Sequence, residues 1–214
     1  MSVSRIELSR LLQDAHAAVT EEWDDYAERV LEAAEQQFSE FGLRRTSMDR
    51  VAEAAGVSRI TLYRRFANRD ALLAAVVVRE FRRYIAEFDA AVSPIIDPHE
   101  RFVRGVAVAG VLFSQDSLLQ RLLRTDPTDT LPLLTTDGSI LVLMARDYVR
   151  GHLGRARDEG MPISGDLEMI AELLVRVAHS MLLTPDSTLD ADEERLADFA
   201  RRSIMPMLFG IPNP

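Results

Sequence analysis

The sequence predicts an all-α protein, a small N-terminal helical unit followed by a larger helical bundle. Three observations carry this. Apolar residues recur at three- and four-residue spacing along most of the chain; no segment shows convincing strand alternation; and the connectors TDPTDTLP, EGMPISGD and TPDSTLDAD have the Pro, Asp, Ser and Thr content of loops between helices. With 214 residues, 47% of them hydrophobic, the chain can fill a sizeable core.

Residues 1–22 read as an N-terminal extension. Ile6, Leu8, Leu11, Leu12, Ala15, Ala18 and Val19 are compatible with an extra amphipathic helix, which either packs on the protein or reaches toward a partner. Charges every few residues and no apolar core segment argue against a secretory signal. From Asp24 to Phe41, Tyr26, Val30, Ala34, Phe38 and Phe41 line one helix face, stopped at Gly42. Thr46, three residues before Asp49, is expected to cap a short helix through Ala54. Gly56 supplies the positive-φ corner of a tight turn, Ser58 caps the next helix with Leu62 and Phe66 inward, and Asn68 caps a helix running to about Ala91. Pro94 and Pro98 close this run near residues 92–98. Helices are then expected over 99–115, 117–125, 137–159, 165–184 and 192–208, about nine in all besides the extension.

Charge is unevenly distributed. The formal net charge is -9, yet residues 44–83 hold ten Arg against four acids, a compact basic island of net +6. Such an island attracts polyanions over the roughly 10 Å that salt allows, whatever the overall sign. Absence of cysteine excludes disulfides, thiol nucleophiles and thiolate metal sites and fits a cytoplasmic protein. The longest nearly uncharged stretch, Val106 to Gln115, is far short of the roughly 20 apolar residues of a membrane span.

Two short helices around a Gly turn, the second opening with Ser and carrying outward Arg, Thr, Tyr and Arg, describe a DNA-binding helix-turn-helix. Burying Val51, Val57, Leu62 and Phe66 leaves Arg59, Ile60, Thr61, Tyr63 and Arg64 facing outward. Arg59 and Thr61, in the first turn, are assigned to base readout and Ile60 to a thymine methyl. Tyr63, Arg64, Thr46, Ser47 and Arg69 suit phosphate, as does the Ser58 end of the recognition helix. Thr46 and Ser58 also have a purely capping reading, and Tyr63 that of a wedge between helices.

The stretch RVLEAAEQQFSEFGLRRTSMDRVAEAAGVSRITLYRRFANRDALLAAV, residues 29–76, closely resembles the N-terminal domain of TetR-family transcriptional regulators. The resemblance implies a homodimer on double-stranded, palindromic operator DNA, acting as a repressor whose C-terminal domain binds a small-molecule effector. It supports Arg59, Ile60, Thr61, Tyr63 and Arg64 as the DNA-facing set. The family often has Lys at Arg69 and His at Arg64 or Arg65; both changes keep a cation. The resulting division is 1–22 extension, 23–68 DNA-binding domain, and 69–214 linking helix with ligand-binding and dimerisation domain.

In the bundle, Phe102, Val106, Phe113, Met144 and Tyr148 either enclose a cavity for a lipophilic effector or form plain core. Leu174, Met181, Phe199 and Met207, on the last two long helices, are assigned to a dimer surface, since paired recognition helices about 34 Å apart read a palindrome. No enzyme, cofactor or metal is expected. His16, His99, His152 and His179 form no close pair on a helix face, and neither G-x-S-x-G nor a P-loop occurs. The competing reading is an all-α adaptor whose basic island docks an acidic protein.

Overall fold

A computed structural model of the protein describes residues 24–114, 118–136, 139–184 and 192–209, with the side chains at 113–114 and 139–140 left undescribed. The proposed extension 1–22 and the Phe113 side chain lie outside the described residues. Those residues are helical, joined by turns, with no strand among them. The fold class is therefore all-α.

Helix α1 (Asp25–Arg45) starts where the Asp24 carboxylate accepts the Ala27 N–H at 2.8 Å, and its inner face buries Ala27, Val30, Leu31, Ala34 and Phe38. Regular helix breaks at Gly42 (φ 79°), close to the predicted stop. Helices α2 (Met48–Ala54) and α3 (Arg59–Arg65) follow, then α4 (Arg69–Val92), whose Ala71 N–H is accepted by Asn68 as predicted. Pro98 does not terminate the preceding run. It opens α5 (Pro98–Ser114) as the first residue, a position where proline has no N–H to lose, and Asp97 caps it by accepting the His99 N–H.

Helix α6 (Leu118–Thr125) is followed by α7 (Pro127–Leu134), where the sequence reading placed a loop. The same Pro and Thr residues that signal a turn also suit a helix start. Pro127 occupies the first helical position, and the buried Thr130 hydroxyl binds the carbonyls of Asp126 (2.7 Å) and Leu122 (3.2 Å). Then come α8 (Ser139–Asp158), α9 (Leu167–Leu183), α10 (Glu193–Phe199), a π-helical turn (Ala200–Ile204) and α11 (Met205–Phe209). The π turn has a local cause. Pro206 lacks the N–H that would reach Arg202 and its ring crowds that carbonyl, so the preceding turn widens and Met205 N–H binds the carbonyl of Ala200.

The described residues up to Arg83 and those of Leu118–Ile140 form one compact unit; those of Tyr84–Ser117 and from Leu141 onward form another. In the first, α1 packs on α2 and α6, α2 on α3, and α6 on α7. Its fully buried side chains include Leu31, Phe38, Val51, Leu62, Leu72, Val76, Leu118 and Leu122, each worth roughly 1.5–3 kcal/mol on burial. In the second, α5 packs on α9, α10 and the π turn around Val103, Leu153, Met161, Ile163, Ala171, Met205 and Phe209.

Candidate nucleic-acid interface

The α2–α3 corner is held by its own backbone. Val57 N–H reaches the Ala52 carbonyl (2.9 Å) and Gly56 N–H the Glu53 carbonyl (3.1 Å), the paired bonds of a Schellman ending. Gly56 adopts φ 66°, the left-handed conformation this ending requires. Ser58 then caps α3 by accepting the Thr61 N–H at 3.1 Å, while its hydroxyl lies 2.8 Å from the Thr61 hydroxyl. Leu62 and Phe66 are buried and anchor α3 to the unit's core.

What remains outward is the predicted face. Ile60 is 83% and Tyr63 49% exposed, Arg59 and Arg64 are exposed, and Thr61 is half-buried. Tyr63 is thus no wedge between helices. At that exposure Ile60 contributes little to the core. It stands among a cation, a hydroxyl and a phenol on one seven-residue helix, a surface with the size and chemistry of a major-groove reader.

Two expectations, both about Thr46, are corrected by the geometry. Thr46 does not cap α2: Ser47 does, accepting the Arg50 N–H at 3.3 Å. Thr46 is only 3% exposed, its hydroxyl taken by the carbonyls of Gly42 (2.9 Å) and Gln37 (3.0 Å), so that side chain cannot reach a phosphate. With Ser47 as the cap, Asp49 is the second residue of α2, one short of the capping-box position, and its Oδ1 lies 2.9 Å from Arg59 Nε. Arg69 is half-buried and donates from Nη1 to the Leu43 carbonyl at 2.8 Å, tying the start of α4 to the end of α1.

Charge counting also overstates the basic island. Arg44 forms a forked pair with Asp129 of α7 (2.7 and 2.9 Å), which holds that carboxyl below its usual range. Arg79 bridges Glu28 and Glu35 of α1, and Arg83 binds Glu80. Arg50 lies over the Phe41 ring at 5.5 Å, and Arg45 donates to the Phe41 carbonyl. Arg64 and Arg65 are exposed without a carboxylate partner among the described residues. Arg45, exposed at the end of α1, is a further cation that the sequence pattern does not single out.

The second unit brings Tyr148 into a polar cluster. Its hydroxyl donates to Asp89 at 2.7 Å, and His152 Nε2 lies 3.2 Å from the same carboxylate oxygen. The rings of Phe88, Tyr148 and His152 meet edge to face. Burial, then the Asp89 bond, pushes the Tyr148 phenol up; burial pushes the His152 imidazole down. Phe102 and Val106 pack on the bundle core, Phe102 against Phe209 at 5.0 Å, and Met144 is buried.

Of the residues assigned to a dimer surface, Leu174 packs on the core, Met181 and Phe199 are half-buried, and Met207 is 68% exposed. The apolar face that α9 leaves uncovered is Met169, Leu173 and Val177, at four-residue spacing. Among the described residues no group of His, Cys, Asp or Glu side chains is arranged to hold a metal ion, and no helix is long and apolar enough to cross a membrane.

An all-α chain that presents a capped, cationic and hydroxylated helix from a glycine corner is a helix-turn-helix DNA-binding regulator. Residues 30–76 match the family described as bacterial regulatory proteins, tetR family, and residues 97–202 match the Bacterial Tetracyclin repressor, C-terminal domain. The chain is 33% identical over 184 residues to an HTH-type transcriptional regulator of Mycobacterium tuberculosis, covering 84% of this chain and 86% of the relative. It belongs to the TetR family of transcriptional regulators, DNA-binding proteins rather than enzymes. Its fold is similar to that of a TetR-family regulator from Pectobacterium atrosepticum (TM-score 0.65, 22% identity, 87% of this chain and 95% of that one). It is also similar to SmeT, the repressor of the Stenotrophomonas maltophilia multidrug efflux pump SmeDEF (TM-score 0.58, 25% identity, 85% and 89%).

Proposed function

We propose that the protein is a homodimeric repressor that binds a palindromic operator and is released by a small, lipophilic effector. The observation that carries the DNA side is the sorting of α3: Leu62 and Phe66 inside, Arg59, Ile60, Tyr63 and Arg64 outside. Arg59 and Thr61 read base edges, Ile60 meets a thymine methyl, and Tyr63, Arg64, Ser47 and the Ser58 end of α3 hold phosphate. Thr46 and Arg69 contribute through the backbone they position. SmeT, also a repressor, is consistent with the direction of control.

The homodimer is assigned to the uncovered α9 face, Met169, Leu173 and Val177, together with Met207. Helix faces of this kind bury themselves against their own copy across a two-fold axis, and that symmetry matches the operator's. The effector region is assigned to Met144 and Tyr148, with Phe102 and Val106 as further wall. Tyr148 and the Asp89 carboxylate supply the few converging polar groups that orient a mostly apolar ligand. Release requires only that the effector bind the operator-incompatible arrangement of the dimer more tightly.

The test begins with selection of bound fragments from genomic DNA. One palindrome is expected to win by orders of magnitude, with affinity falling steeply as salt rises. Equal, feeble binding to every fragment would point instead to an adaptor with an acidic protein partner. Ligands that raise the protein's melting temperature are then added to the operator complex, and at least one class of lipophilic compound is expected to weaken it.

A further inference from the structure

Arg59 and Asp49 join the two helices of the motif from above the corner. Asp49 is the second residue of α2 and Arg59 the first of α3, and Arg59 Nε stands 2.9 Å from Asp49 Oδ1. Both side chains are open to solvent, 68% and 46% exposed, so the pair contributes little to stability. Its consequence is geometric. While the ion pair is made, the Arg59 stem is confined to one side, and its two Nη groups remain as a planar fork.

We propose that Asp49 is a positioning residue for sequence readout: it holds Arg59 by the Nε side so that the Nη fork meets a guanine edge in the major groove. This rests on the reading of Arg59 as a base-contacting residue. A guanine offers O6 and N7 as adjacent acceptors, and a fork already oriented toward them loses less freedom on binding than a mobile arginine. The carboxylate acts in the opposite direction on phosphate. It neutralises Arg59 locally and repels the DNA backbone, so the same arginine is denied the sequence-independent contact it would otherwise make. Arg64 and Arg65, on the same helix, have no such partner among the described residues and are left to phosphate. The helix thus carries two kinds of arginine, distinguished by whether a carboxylate is paired with the guanidinium.

Asp49 also lies in the first turn of α2, where a negative charge favours the helix, so the test must separate aim from stability. Full-length wild type, Arg59→Ala, Asp49→Ala, Asp49→Asn and the double variant Asp49→Ala/Arg59→Ala are titrated onto the selected operator, a set of its single-base-pair variants, and a scrambled duplex of equal length. Thermal unfolding of each protein is recorded alongside. Arg59→Ala is expected to abolish discrimination at one base pair per half-site, a loss of about tenfold or more. Asp49→Ala is expected to lose severalfold discrimination at that same base pair, to bind the scrambled duplex more tightly, and to add nothing in the double variant at that position. Asp49→Asn, which keeps the shape without the charge, is expected to fall between. Even weakening on every duplex by Asp49→Ala and Asp49→Asn, in step with their melting temperatures, overturns the positioning role while leaving Arg59 as reader. If Arg59→Ala relaxes no base pair, the assignment of Arg59 and the proposal fall together.

Discussion

At the scale of single residues, the DNA face consists of side chains that the core did not claim. Arg64 and Arg65 are exposed and without carboxylates among the described residues, so replacing either with Ala is expected to weaken binding to all duplexes alike and to lower the salt slope by about one. Titration of affinity against salt checks this. Glu80 is the opposite kind of charge. It is 3% exposed on α4, one of its oxygens has no hydrogen-bond partner, and burial, reinforced by Glu35 and opposed by Arg83 and Arg79, pushes its carboxyl up from 4.5 to about 7. A raised carboxyl keeps its proton in the folded state over a range where the unfolded chain has released it. The contribution of Glu80 to stability therefore falls as pH rises from about 4.5 through about 7 and stays low above that. Glu80→Gln is expected to remove that part of the pH dependence and to raise stability at pH 8 by about 1–3 kcal/mol, measured by chemical denaturation at several pH values.

Among the elements, α2, α3 and their corner were readable because their signals are local. A glycine that must adopt φ 66°, a capping serine and two apolar residues four apart need nothing distant to interpret them. A Cβ at Gly56 would meet nothing within 4 Å, so the cost of Gly56→Ala comes from backbone strain alone. It is expected at about 1–2 kcal/mol, with operator affinity falling further as the corner re-angles α3. Melting temperature and operator titration on one preparation separate the two effects. Helix α7 was not readable, because Pro127, Thr130 and Pro132 look like turn chemistry until Thr130 is seen to bury its hydroxyl against Leu122 and Asp126. Its link to the end of α1 runs through Arg44, which binds the Asp129 carboxylate and whose N–H donates to Asp126. Being exposed, this link is expected to matter little for global unfolding. Asp129→Ala should speed hydrogen exchange in α7 while leaving the melting temperature nearly unchanged.

For the whole molecule, operator recognition by this family is usually a property of a pair of chains, and the uncovered α9 face is where this one is expected to pair. Leu173 is 44% exposed between Met169 and Val177, so Leu173→Arg places a charge in the middle of the apolar stripe without disturbing the core behind it. The expected outcome is a shift from dimer to monomer in sedimentation velocity and a large loss of operator affinity, with helix content by circular dichroism unchanged. The sequence reading pointed to Leu174, one residue away, which instead faces the core. Helix α9 is apolar on two sides, and periodicity identifies stripes without saying which one the rest of the chain will cover.

The sequence by itself determined the all-helical class, the helix-turn-helix and most of its outward residues, because caps, a positive-φ glycine and apolar spacing act within a few residues of one another. Tertiary structure decided which of those residues are at liberty. Thr46 and Arg69 belong by type to a phosphate-binding set, yet partners at Gly42, Gln37 and Leu43 hold them. Leu118–Ile140 packs with the N-terminal helices although more than thirty residues of the other unit precede it. For Arg69 and for Leu118–Ile140 the physical reason is the same: partners and buried faces are shared between segments distant in sequence, and no local pattern records who the partner is; Thr46 is instead claimed by the carbonyls that the break at Gly42 leaves nearby.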